Sequence, residues 1–322
     1  MRPPSELPPD LRAALDKLAH GMSRKALAER AAAQSQNYRA GGGSQAIRSP
    51  EDALAYAFTR LPATYAAAIA VFDALREVCD VEPRSLLDVG AGPGTAAFAA
   101  AQAFSTLADI RLVEINAEMR RLGSELLAEA ASPVLRAATY LGSLEGSTAP
   151  ADLVVASYVA GELAAEVLAR FTQALWAASA RALVVIEPGT PAGYQRILQI
   201  RSLLIAAGAH VAAPCPHERA CPLLAPDWCH FAKRLPRSRD HLQVKGVSVP
   251  FEDEKFSYVV LVRGPGAQGT HARVLAPPQV SKSGVAAKLC TAEGIVHDVA
   301  ARRDRDAYRR HKSWRWGDRV SP

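Results

Sequence analysis

Between residues 84 and 186 the chain alternates short, almost wholly apolar runs with longer segments of helical period, and this alternation leaves few folds open. Ser85–Val89, Ile110–Glu114, Thr139–Leu141, Asp152–Ala156 and Ala182–Ile186 read as strands, with Thr95–Phe104, Glu118–Ala131 and Glu162–Ala178 as the helices between them. A strand that is apolar on both faces must be covered on both faces, which suits parallel strands inside a layered α/β domain. Right-handed crossovers then place helices on either side of the sheet.

The first strand runs into a turn. Leu86-Leu87-Asp88-Val89-Gly90-Ala91-Gly92-Pro93-Gly94-Thr95 is strand, glycine turn and helix start. Glycine is needed where the chain turns sharply and where a ligand comes against the backbone. The helix that follows offers unpaired N–H donors. The spacing is G-x-G-x-G, with Thr95 where a dinucleotide fingerprint would carry its last glycine. It resembles instead the first motif of S-adenosylmethionine-dependent methyltransferases, in which the acid before the turn, here Asp88, helps to hold the methionine moiety. Glu114, 24 residues after Gly90, ends the second strand and is placed to accept hydrogen bonds from both ribose hydroxyls. The expected fold is therefore Rossmann-like, the expected cofactor S-adenosylmethionine, and its candidate ligands Asp88, Gly90, Gly92, Gly94 and Glu114.

Base-modifying methyltransferases often carry Asn or Asp, two prolines and an aromatic after the fourth strand, to hold an extruded base. Here that stretch is Ala156-Ser157-Tyr158-Val159-Ala160-Gly161-Glu162. Tyr158 could stack on a base and Glu162 could accept a proton. The favoured reading is that Tyr158 packs and Glu162 opens a helix, its charge favoured by the helix dipole. No catalytic residue is assigned.

Residues 1–80 read as an alanine-rich helical region, with Leu11, Leu15 and Leu18 sharing one helical face and Ala68, Phe72 and Leu75 another. Gln34–Ser49, with Gly41-Gly42-Gly43, breaks the pattern and is expected to be a loop. Arg30, Arg39 and Arg48 flank it, either solvated or in contact with phosphate. A helix is expected at about Tyr194–Ala207. Residues 209–250, rich in Pro, Cys, His, Arg and Lys, read as an insertion before the last strand, Phe256–Val262. The main domain then spans 81–263. Beyond Gly264-Pro265-Gly266 a small basic region, 264–322, has strand-like pieces at Ala272–Leu275 and Val285–Leu289. No run of about 18 apolar residues escapes a charge or a proline, so no membrane span is expected. Ala53–Leu75 comes nearest and contains Arg60 and Pro62. The proline-rich N-terminus lacks an apolar segment and transit-peptide character, so a cytoplasmic location is expected.

Five cysteines in a reducing compartment are poor disulfide candidates and better metal ligands. Cys215-Pro216-His217, Cys221-Pro222 and Asp227-Trp228-Cys229-His230-Phe231 bring three into one proline-rich loop, and Cys290 follows later, in the pattern C-x5-C-x7-C-x60-C. Cys79 sits singly, as structural cysteines do. Structural zinc sites usually pair their ligands more closely. Cysteines followed by proline and flanked by an aromatic suit a sheltered iron–sulfur cluster, which takes four thiolates. His217 and His230 keep zinc open as the alternative.

Taken together, these residues resemble the Rsm22 group of methyltransferase-like proteins, mitochondrial and bacterial factors associated with the small ribosomal subunit. The resemblance rests on Leu86–Thr95, Glu187-Pro188-Gly189-Thr190-Pro191, Cys215-Pro216-His217, Asp227–Phe231, Phe251–Tyr258, Lys288-Leu289-Cys290 and Trp316-Gly317-Asp318. It covers most of the chain and is most specific in the cysteine segment. It implies a [4Fe–4S] cluster on Cys215, Cys221, Cys229 and Cys290, a bound or bindable S-adenosylmethionine, and a role in small-subunit assembly or translation. The alternative is an active rRNA methyltransferase. Radical S-adenosylmethionine chemistry wants a three-cysteine cluster with an open iron, and here a fourth cysteine is available.

The formal charge is +6. Near the C-terminus Arg302, Arg303, Arg305, Arg309, Arg310, Lys312, Arg315 and Arg319 stand against Asp304, Asp306 and Asp318, with Tyr308, Trp314 and Trp316 interleaved. Guanidinium meets phosphate and rings stack on unpaired bases, which suits RNA, and the resemblance implies small-subunit rRNA as the expected partner. The plainer reading is a solvated helix face with its tryptophans turned inward. Lys233, Arg234, Arg237 and Arg239 form a second basic patch that the cluster would position against rRNA. No membrane partner is expected, and the expected state is a monomer.

Overall fold

The apolar runs form the centre of one sheet. In the computed structural model, which describes residues 6–144, 149–237, 242, 244–245, 248–264 and 271–321, five strands are parallel: β1 (Ser85–Val89), β2 (Asp109–Val113), β3 (Thr139–Leu141), β4 (Ala151–Ser157) and β5 (Ser179–Pro188). Their order is β3-β2-β1-β4-β5. Strand β1 pairs with β2 on one side and β4 on the other, so the chain changes direction across the sheet at its carboxyl end. Ligand crevices open at such a point. The sheet continues with β8 (Phe251–Val262), antiparallel between β5 and β6 (His210–Ala213). This is the Rossmann-like α/β fold of S-adenosylmethionine-dependent methyltransferases.

Strand β6 lies inside the stretch expected to be an insertion, so the inserted segment begins only after Ala213. Its sequence, His210-Val211-Ala212-Ala213, has little strand propensity of its own; pairing with β8 and full burial of Val211, Ala212 and Ala213 make it a strand. The segment returns as β7 (Phe231–Pro236), antiparallel to the first half of β8.

The crossover helices are α4 (Thr95–Ala103), α5 (Ala117–Ala128), the short α6 (Pro133–Arg136), α7 (Ala165–Ala178) and α8 (Pro191–Ala206). Before them come α1 (Pro9–Leu18), α2 (Arg24–Arg39) and α3 (Pro50–Arg76). Helix α2 continues through Arg39, so Gln34–Arg39 is helical and the true loop is shorter than expected. The Ser49 side chain accepts from Asp52 N and Pro50 opens the first turn, so α3 starts where its sequence signals. Helix α3 is apolar all round, and such a helix must be enclosed. Its length and composition would suit a membrane span, yet 78% of its apolar window is buried within the fold. Leu61, Tyr65, Ile69, Phe72 and Leu75 are wholly buried and share one core with the sheet and α4. Phe72 meets Phe104 edge-on at 5.6 Å.

The C-terminal region builds a second sheet from β9 (Ala272–Val274), β10 (Gln279–Val280), β11 (Gly284–Cys290), β12 (Ile295–Ala301) and β13 (Arg319–Val320), with helix α9 (Arg305–Ser313) before the last strand. Ala272, Val274, Ala287, Leu289, Trp314 and Val320 form its small core.

Replacing Phe72 by alanine is expected to cost about 3–5 kcal/mol of stability, whereas Val280→Ala at an exposed position stays within about 0.5 kcal/mol. Urea denaturation of the two variants checks the difference.

Candidate functional site

The glycine turn and its two acids come together at the carboxyl end of β1. Gly90, Gly92 and Gly94 have φ of +72°, +54° and +84°, a region side chains rarely adopt. A side chain at Gly90 would stand 2.5 Å from a methyl of Val159, while the space beside Gly92 is open. Glu114 lies just past β2 and is 6% exposed. Its Oε2 accepts from Gly92 N at 2.8 Å and its Oε1 from Asn116 N at 2.7 Å. Asp88 is 1% exposed, and its Oδ2 has no hydrogen-bond partner. Burial first, and the like charge of Glu114 second, push the Asp88 carboxyl up to about 7. A buried carboxylate oxygen without a donor, beside an open glycine turn, fits a ligand that brings a cationic donor.

Sequence reasoning missed the residues that close this cleft. Asn116 caps α5 with its side-chain oxygen, and its Nδ2 donates to Ser44 O at 3.0 Å and Ile47 O at 2.9 Å. The same loop gives Ser44 N and Oγ to Glu162 Oε2 at 2.9 and 2.7 Å, with Tyr38 Oη 3.4 Å from Oε1. Contacts 69 to 124 positions apart leave no local signal. Arg30 pairs with Asp52 at 2.6 Å, and Arg39 and Arg48 bond backbone oxygens nearby, so these arginines serve local structure.

Glu162 does not open a helix: it sits in a short 3-10 turn, Ala160–Glu162, before α7 begins. Tyr158 has φ of +60°, a strained value for a non-glycine residue. Its hydroxyl donates to Glu254 Oε1 at 2.8 Å, and Arg60 pairs with the same carboxylate at 3.1 Å. Both side chains are thus engaged by the protein itself.

The second feature is a cavity lined by Cys215, Cys221, Cys229 and Cys290 together with Tyr194, Arg201, His217, Tyr258 and Arg273. Three of the cysteines come from the inserted segment. Cys290 ends β11, in the other sheet. Cys290 Sγ lies 3.8 Å from His217 Nε2, and Tyr194 Oη donates to Cys221 Sγ at 3.1 Å. Burial, and then the other thiols, push Cys229 well above the ordinary thiol range and Cys290 up to about 12. All five cysteines are free. Among the described residues no group of three or more His, Cys, Asp or Glu side chains is arranged to hold a metal ion. The four thiols line a cavity and do not close on one point. His230 bonds Trp228 O at 3.1 Å and lies between Trp228 and Trp316, each 4.9 Å away, which is a packing role.

The two basic patches differ. Arg234 is paired with Asp253 at 2.7 Å and Arg237 with Glu252 at 3.2 Å, because β7 and the acidic start of β8 are neighbours. Those two arginines are thus paired within the fold; Arg239 lies outside the described residues. Around α9, Arg302, Arg303, Arg305, Arg309, Arg310, Lys312 and Arg315 are exposed. Trp314 is 9% exposed and stacks on His311 at 4.0 Å, and Trp316 meets His230, so the tryptophans are turned inward.

Comparison with known proteins gives a consistent family. A sequence profile described as mitochondrial small ribosomal subunit Rsm22 matches residues 50–321. The ribosome assembly protein METTL17, mitochondrial, of Homo sapiens is 29% identical over 291 residues, 82% of this chain and 61% of the human one. The Rsm22-cox11 tandem proteins 1 and 2, mitochondrial, of Schizosaccharomyces pombe are each 28% identical over 243 residues, 66% of this chain and 32% of theirs. This chain thus spans less than two thirds of each relative's length. Among solved structures, magnesium protoporphyrin IX methyltransferase (ChlM) from Synechocystis PCC 6803 with bound SAH superposes with a TM-score of 0.43 at 13% identity, covering 79% of this chain and 100% of that one. The expected cytoplasmic location is corrected by these matches, since the family and all three curated relatives are described as mitochondrial. The N-terminal composition was a poor guide to location.

The Asp88 carboxyl sets a pH test. Its pKa is raised from an ordinary 3.8 to about 7. In the free protein its neutral form therefore adds stability at low pH, and that contribution is lost as pH rises through about 7. A cationic ligand group needs the ionised form, so the affinity for S-adenosylhomocysteine should rise between about pH 6 and 8. Calorimetric titration should show this rise in the wild type and a flat profile in Asp88→Asn. A flat wild-type profile would remove Asp88 from the site.

Proposed function

The chain belongs to the mitochondrial small ribosomal subunit Rsm22 family, and we propose that it binds small-subunit rRNA and acts in assembly of the small ribosomal subunit. In this reading the cleft at Asp88, Gly90, Gly92, Gly94 and Glu114 takes S-adenosylmethionine. Cys215, Cys221, Cys229 and Cys290 hold a [4Fe–4S] cluster, zinc being the alternative.

The observation that carries the reading is the meeting of Cys290 with the three cysteines of the inserted segment around one cavity. The donor set is entirely sulfur, which favours soft metals. Thiols that line a cavity suit a cluster with volume of its own better than a single zinc ion, which draws four ligands to about 2.3 Å. When bound, the cluster supplies a covalent joint between the inserted segment and the C-terminal sheet. That sheet presents α9, whose exposed arginines suit phosphate. In this reading α9 carries the RNA surface, rather than the paired Arg234 and Arg237.

Assembly is favoured over methyl transfer by the engagement of Tyr158 with Glu254 and of Glu162 with Ser44. The side chains that would have to meet an extruded base already have partners within the fold.

Anaerobic purification followed by iron and sulfide assays is expected to return about four of each per chain. Zinc without sulfide would replace the cluster reading. Binding to small-subunit RNA should weaken steeply with salt, by roughly 0.7–0.9 in log–log slope for each phosphate contact. The quadruple change of Arg302, Arg303, Arg309 and Arg310 to glutamine should flatten that slope, and salt-insensitive binding would count against the phosphate surface. Incubation with labelled S-adenosylmethionine and immature small-subunit RNA should leave the RNA unlabelled, and labelling that requires Asp88 would establish the methyltransferase instead.

A further inference from the structure

Two buried guanidinium groups face the cysteine cavity. Arg201 is 3% exposed and Arg273 is 1% exposed, and both line the cavity. Arg201 Nη2 donates to His217 O at 2.7 Å, while its Nε has no partner. Arg273 donates Nε to Pro214 O at 3.1 Å and Nη1 to Gly317 O at 2.8 Å, while its Nη2 has none. Carbonyl oxygens satisfy N–H groups but do not cancel a charge. Among the described residues Arg201 has no carboxylate partner, and Arg273 reaches Glu77 only at 3.9 Å. Charges so enclosed call for a counter-charge close by.

Their placement is built into the fold. Arg273 on β9 is the register partner of Cys290 on β11, and opposite residues of an antiparallel pair share a face. Arg201 lies two turns after Tyr194 on α8, so one helix face carries both the guanidinium and the hydroxyl that donates to Cys221 Sγ. The donors thus approach the thiols from two separate elements.

We infer that Arg201 and Arg273 are the counter-charges of a dianionic four-thiolate centre, held in place to neutralise it. The inference rests on the four-thiolate reading given above. Four thiolates around a dipositive core, whether a zinc ion or an iron–sulfur cube, carry a net charge of about −2, which two guanidinium groups cancel. The inference is therefore independent of which metal is bound. Without the metal the two cations stand poorly compensated in the interior.

The test uses the full chain purified anaerobically, with the variants Arg201→Gln, Arg273→Gln and Arg201→Lys. Metal transfer to an excess of chelator should be roughly 10- to 100-fold faster in the glutamine variants and close to wild type in the lysine variant, which keeps the charge. The thermal midpoint supplies a second readout with a change of sign. Arg201→Gln should lower the midpoint of the metal-loaded protein and raise that of the metal-stripped protein. An arginine that merely packs would lower both. Equal release rates in all variants, or a fall in both midpoints with no rescue by lysine, overturns the inference while leaving the metal site standing. A wild-type chain that carries no metal overturns the four-thiolate reading and the inference with it. If Arg273→Gln does not accumulate, the two Arg201 variants decide the matter.

Discussion

Strand β8 is long enough to belong to two structures at once, and the rest of the molecule depends on that. Its second half pairs with β5 and β6 and completes the main sheet, while its first half pairs with β7 and fixes the inserted segment. Backbone pairing transmits position with little slack, because a slip of one residue would turn every side chain to the other face. The functional groups hang from this strand. Glu254 holds Tyr158 and Arg60, Ser257 Oγ donates to Cys229 O at 2.8 Å, and Tyr258 lines the cysteine cavity. One strand therefore sets the distance between the glycine-turn cleft and the cysteine cavity.

The two sites make opposite use of burial. At the cleft, burial acts on acids: it raises Asp88 and Glu114 and leaves an Asp88 oxygen without a donor. At the cysteine cavity, burial acts on cations: Arg201 and Arg273 are enclosed beside thiols that burial keeps protonated in the free chain. Each arrangement is poorly satisfied by the protein alone. Interiors seldom leave polar groups in that state unless a ligand completes them.

The cleft also departs from an open enzyme site. The loop before α3 is tied to Asn116 on one side and to Glu162 on the other, so it spans the cleft from the end of β2 to the turn after β4. The hydrogen bonds run continuously from Gly92 through Glu114 and Asn116 to Ser44 and Glu162. A chain of this kind couples the positions of its members. It connects the glycine turn to the N-terminal helices, which the sequence had presented as a region apart.

The sequence by itself determined the parallel strands, the glycine turn with Asp88 and Glu114 beside it, and the cysteines that line one cavity. Each of these is written in short-range signals: apolar runs, obligatory glycines and cysteine spacing. It did not reveal β6 or β12, the pairing of Arg234 and Arg237 with β8, or the arginines at the thiol cavity. Strand β6 has weak propensity and exists because β8 offers it a partner. Arg201 sits in an ordinary helical pattern and Arg273 in a short strand, and nothing local marks either as buried. Whether a charge is free for RNA, paired or enclosed depends on what stands across from it, and that is decided only when distant segments pack. Tertiary structure thus settled which basic residues face solvent and which face the thiols.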